Sequence, residues 1–107
     1  MEIARWQAIV GVSSISSEIP YKYELYQNYP NPFNPVTKIN FDIVKQSNVK
    51  ITVYDALGRE IETLLNEELQ PGKYYADFNA SKLASGLYFY RIVAGDFSDV
   101  KRMIILK

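Results

Sequence analysis

QNYPNPFNPVTKINFDI, Gln27–Ile43, sets three prolines and four asparagines within its first fourteen residues and then passes into strict alternation. Proline lacks an amide hydrogen and biases the residue before it toward extended backbone, so Pro30, Pro32 and Pro35 keep the first half out of any central strand. In the second half Ile39, Phe41 and Ile43 share one face and Lys38, Asn40 and Asp42 the other. That period of two marks a half-buried strand. A rigid segment that cannot pair along its length, leading into an amphipathic strand, predicts a crossover that closes one end of a β-sheet core. Phe33, held between two prolines, is the ring expected to anchor it there. Asn31 and Asn34 are placed to form Asx turns that satisfy nearby backbone donors. Display of the prolines to a proline-reading partner is the competing role, and the segment lacks the basic flank that such ligands carry.

The same alternation extends outward. In VKITVYD, residues 49–55, Val49, Ile51 and Val53 face inward. Asp55 and Gly58 then bracket a type I turn, because Asp bonds the turn backbone and Gly tolerates positive φ at the exit. REIETLL forms the second arm of that hairpin. After the polar NEELQ, Pro71-Gly72 is expected to make a type II turn, and KYYADFN alternates Tyr74, Ala76 and Phe78 on one face. SKLAS offers about one helical turn before Gly86. LYFYRIV is apolar on both faces except at Arg91, which places it in mid-sheet with Tyr88, Tyr90 and Ile92 toward the core. VKRMIILK is the last strand and YELYQ a short first one. Seven strands separated by turn signals predict an all-β fold, a seven-stranded antiparallel sandwich of immunoglobulin-like form.

Residues 1–20 differ in character. ARWQAIVGV alternates and is followed by the polar SSISSEIP, so 1–20 is expected to hold the end of an upstream module, or an added edge strand, and a Ser-rich linker, with the sandwich at 21–107. Twelve Lys and Arg balance twelve Asp and Glu, which gives no overall field for phosphate backbones or anionic membranes; no nucleic-acid partner is expected. No apolar run has the length of a membrane helix, so membrane insertion is not expected either. Cysteine and histidine are both absent. Their absence removes disulfides, thiolate chemistry, most zinc sites and every imidazole-based triad.

What remains for chemistry is carboxylates, hydroxyls and amines. Glu60 and Glu62 share a strand face, but their polar neighbours point to a solvated face rather than an acid/base pair. Asp96 and Asp99 in GDFSD could offer oxygen ligands to Ca²⁺, but a satisfied turn is the preferred reading. No catalytic, cofactor or metal site is assigned. In the last strand Lys101 and Arg102 precede MIIL and Lys107, so alternation sends one basic group of the pair to each face. On physical grounds this is an edge or near-edge strand with protective charges.

Taken in order, QNYPNPFNP with TxIxF, VxIxVYDxxGREIxxL, PGxY, SGLYFYRIxAG and the final KRMIILK resemble the type A C-terminal sorting domain of the type IX (Por) secretion system. One departure is Phe78-Asn79-Ala80, where such domains usually carry Trp-Asp-Gly. The resemblance implies a non-catalytic module on an upstream cargo, secreted or displayed at the cell surface by way of the periplasm. The implied partners are an outer-membrane translocon and a sortase-like peptidase that removes the module. It also implies that Lys101, Arg102 and Lys107 are where the signal is read, with strand addition to an exposed edge as a plausible mode. Pro30, Pro32, Phe33, Pro35, Asp55, Gly58 and Gly86 are its structural motif positions. The rival function is a carbohydrate-binding module of a secreted glycosidase, which would show a planar row of exposed aromatics, Phe89 among them.

Overall fold

A computed structural model describes residues 12–16 and 19–107. The alternating stretch Ala4–Val10 lies outside the described residues. The strands are β1 (Val12–Ser16), β2 (Glu24–Leu25), β3 (Val36–Ile43), β4 (Ser47–Asp55), β5 (Glu60–Leu69), β6 (Gly72–Asn79), β7 (Gly86–Ala94) and β8 (Phe97–Ile105). They form two antiparallel sheets, A in the order β1-β6-β3-β2 and B in the order β5-β4-β7-β8. The seven expected strands are β2 to β8, and the immunoglobulin-like sandwich is the fold. Among the described residues no helix is long and apolar enough to cross a membrane.

The alternation fixes which face of each strand is buried. Ile39, Phe41 and Ile43 of β3 meet Val49, Ile51 and Val53 of β4 in the core, and each is fully buried. Phe41 sits opposite Tyr74 with the rings stacked at 5.6 Å. In β7 the division at Arg91 holds: Tyr90 and Ile92 are fully buried and Tyr88 nearly so, while Arg91 is exposed. Tyr74 donates its hydroxyl to the Gln70 carbonyl and Tyr88 to that of Ala84. Both bonds run back four residues, as at the tyrosine corner of immunoglobulin-like sandwiches, and give a polar tip a partner at the rim of an apolar core.

Four local expectations are corrected. Pro71-Gly72 is not a type II turn: Gly72 has φ +157°, far from the +80° or so of that turn, and opens β6. The chain there crosses from sheet B to sheet A instead of folding back on β5. The polar run after Leu65 continues β5, because Leu69 is buried opposite Ser47 and holds the ladder together to that point. SKLAS makes one hydrogen-bonded turn, Leu83 N–H to Ala80 O, with no helix. Part of the serine-rich stretch is strand β1, with Val12 opposite Ala76 and Ser14 opposite Tyr74 of β6. Backbone pairing to an otherwise open edge does not depend on apolar side chains, so polarity alone did not exclude it.

Candidate functional site

The proline-rich segment and the last strand form one unit. Phe33 is 3% exposed, and its ring lies 6.1 Å from that of Phe78. Its N–H donates to the Ile104 carbonyl at 3.0 Å, and its carbonyl accepts from Leu106 N–H at 3.1 Å. Gln27 Nε2 donates to the Arg102 carbonyl, and the Ile104 N–H donates to Asn31 Oδ1. Asn31 therefore makes no local Asx turn; its side chain is an edge partner for β8. The bonds before Pro30, Pro32 and Pro35 are cis. Val100 N–H, next along the same edge, donates to Asp99 Oδ1. The outer edge of β8, expected to be open for strand addition, is thus occupied by this chain's own groups from Val100 to Leu106.

Asn28, which the sequence did not single out, ties this unit to the core. It is 2% exposed, and its side-chain amide donates to Thr37 Oγ1 and the Pro30 carbonyl. Its N–H donates to the Tyr90 hydroxyl, which in turn donates to the Tyr26 carbonyl, both at 2.7 Å. Burial pushes the Tyr90 phenol well above its ordinary range, which keeps it neutral and able to donate. A buried Asn flanked by Gln27 and Tyr29 gives no period signal, so only its contacts reveal it.

The three basic residues of the expected recognition set do not share one surface. Lys101 points to the inner side, opposite Tyr90, and is half-buried; Arg102 is on the outer face opposite Phe89. Lys107 turns to the 81–85 loop, where its N–H donates to Ser85 Oγ and its Nζ to the Ser81 carbonyl. Register brings other cations to Arg102. Across β4, β7 and β8 the outward rows read Tyr54–Phe89–Arg102, Thr52–Arg91–Val100 and Lys50–Val93–Ser98. Lys50, Arg91 and Arg102 therefore lie on one diagonal of sheet B. Alternation within a strand could not find this, because the diagonal depends on pairing between strands.

At the other motif positions, Asp55 organises its turn: Oδ1 accepts from Leu57 N–H and Arg59 N–H, and Oδ2 from Arg59 Nε at 2.8 Å. The Arg59 amide bond, aided by its guanidinium, holds the carboxyl below the usual carboxylate range. Gly58 takes φ +85°, the left-handed conformation that glycine adopts without a Cβ clash. Gly86 opens β7 opposite Ile105. Asn79 Oδ1 accepts from Ser81 N–H, so the turn that departs from the family pattern is closed by its own side chain.

Glu60 and Glu62 are exposed, and Glu60 accepts from Thr63. Among the described residues no three His, Cys, Asp or Glu side chains converge on a metal position. Half-buried Tyr54 and Phe89 make a row of two that runs into Arg102, short of the aromatic platform a sugar-binding sheet would present.

The family of the secretion system C-terminal sorting domain matches residues 27–106. The chain belongs to the type IX secretion C-terminal sorting domain family. No curated protein matches it. The sorting domain's matched span opens at Gln27, whose side chain holds β8, and takes in the whole proline segment and β3 to β8. A domain of this family is an address read by the type IX machinery for export to the cell surface or beyond.

Proposed function

We propose that this domain is a non-catalytic address: carried behind a cargo in the same chain, it directs that cargo from the periplasm through the outer-membrane type IX translocon. A sortase-like peptidase then separates it from the cargo. Residues 21–107 act as the sorting unit, β1 adds an edge strand to its sheet A, and the rest of 1–20 connects it to what precedes. Lys101, Arg102 and Lys107 contact the machinery. The observation that carries this reading is the family match over 27–106, which coincides with a sandwich whose proline segment and last strand are bonded into one unit.

The test is a fusion of residues 1–107, which keeps β1 on sheet A, behind a foreign periplasmic protein in a bacterium with type IX machinery. The fusion is expected at the cell surface or in the medium. Replacing Lys101, Arg102 and Lys107 by Gln is expected to reduce export, with Tm measured alongside because Lys101 is half-buried and Lys107 Nζ bonds the Ser81 carbonyl. A folded tail that leaves the fusion in the periplasm contradicts the function. Full export of a folded triple variant removes these three residues from the recognition set.

A further inference from the structure

We propose that the outer face of sheet B, built on β4, β7 and β8, is the surface by which this domain docks on an acidic protein face of the export machinery. The inference rests on the sorting function and names where and by what chemistry the domain is read.

Two properties of the face coincide. The first is unpaired positive charge: Lys50, Arg91 and Arg102 lie on one diagonal, and among the described residues none of them has a carboxylate within ion-pair distance. The second is apolar ground beside the charges. Val93, Val100 and Ile104 are 37%, 50% and 42% exposed, and Leu87, at 38%, sits opposite Ile104. The apolar ground continues at Leu87 into an open groove of about 380 Å³ under the Asp55–Gly58 turn, where Leu57 is 80% exposed.

Charge complementarity decides the occupant. Three cations without counter-ions among the described residues call for carboxylates, and the valines beside the diagonal and the isoleucine beyond it call for an apolar surface rather than a hydrated phosphate chain. The domain's balanced net charge gives no field for polyanions. Glu60 and Glu68 lie on β5, opposite the outward Tyr54 and Asn48 and at the far border of the sheet, so a partner with its carboxylates over β7 and β8 meets the face in one orientation and is repelled in the reverse one. Size fixes the kind of complex. Three strands about 4.8 Å apart and four rows about 6.8 Å apart cover roughly 15 by 27 Å. That is well under the roughly 800 Å² per partner of a stable complex. The contact is brief and salt-sensitive, which suits an address that is read and released.

The test places a photo-reactive phenylalanine analogue at Val93 on sheet B or, for comparison, at Asn40 on sheet A, in the exported fusion of the full chain 1–107. Illumination during export is expected to join the Val93 probe, and not the Asn40 probe, to an outer-membrane component of the type IX machinery. The pair Lys50→Glu and Arg91→Glu is expected to abolish that adduct and lower export about tenfold, the effect of about 1.4 kcal/mol of lost recognition. Tm is measured alongside. If charge reversal unfolds the domain, Lys50→Gln with Arg91→Gln replaces it, and reduced export of that folded variant supports the surface. Unchanged export of a folded variant overturns the proposal. So does an adduct from Asn40 alone, or a Val93 adduct containing only a second copy of the fusion. A parent fusion that never leaves the periplasm overturns the sorting function itself, and this surface with it.

Discussion

The outer face of sheet A is finished by its own charges, and the outer face of sheet B is not. On sheet A, Lys38 Nζ bonds Asp77 Oδ1 at 2.9 Å and sits 4.1 Å from the Tyr75 ring centroid. Asp42 accepts from Tyr26 at 2.6 Å and from Lys73 at 3.2 Å. On sheet B, Lys50, Arg91 and Arg102 stand beside apolar side chains and have no such partners among the described residues. Exposed ion pairs contribute at most about 1 kcal/mol, so the contrast is not mainly one of stability. It separates a face whose polar groups are already engaged from one whose groups are available. The edge of sheet B is treated in the opposite way from its face: residues 27–33 close it.

The largest expected effect comes from undoing that closure. Phe33→Ala removes the ring that seats the segment on β8, and truncating a buried Phe costs about 3–5 kcal/mol. For a domain of this size that lowers Tm by at least about 12 °C. A fall of only a degree or two in thermal unfolding contradicts the anchoring. Next is Asp42→Ala on sheet A. It strips two bonds to a carboxylate and leaves Lys73, 28% exposed, without its partner, a loss of about 1.5–3 kcal/mol measurable by urea unfolding. Alkaline pH sharpens the contrast further. The hydrogen bond to Asp42, then burial and the field of that carboxylate, push the Tyr26 phenol up to about 12. A raised folded-state value means that the stabilisation is whole below the ordinary value near 10 and is lost as pH climbs from there toward 12. Stability is expected to fall in that window, less steeply in Tyr26→Phe, and an identical slope in the variant removes Tyr26 from the account. The smallest effect belongs to sheet B: Arg91→Gln, which breaks no pair, is expected to shift stability by under about 0.5 kcal/mol.

The interior was legible because alternation is a property of one strand at a time. Ile39, Phe41 and Ile43, or Tyr88, Tyr90 and Ile92, declare their buried face without reference to any neighbour. Phe33 could be assigned as an anchor because it is the one large apolar ring among the prolines, but its backbone bridge to β8 could not be read from the sequence. Asn28 and the diagonal of Lys50, Arg91 and Arg102 could not, since both arise from contacts between residues far apart in sequence. The Asn28 N–H reaches a hydroxyl 62 positions away. Pro71-Gly72 misled for a related reason: a local turn signal carries no information on whether the chain returns to its own sheet or crosses to the other. The basic pair Lys101-Arg102 was correctly split between faces, but its companions on the outer face came from β4 and β7.

The division of labour between the two faces is tested most directly by measuring export and Tm together for two charge-neutralised fusions. One carries Lys38→Gln with Asp77→Asn on sheet A, and the other Lys50→Gln with Arg91→Gln on sheet B. The account predicts that the sheet A variant is exported like the parent with at most a small loss of Tm, while the sheet B variant keeps its Tm and loses export. Equal export of the two folded variants, or loss confined to the sheet A variant, contradicts it.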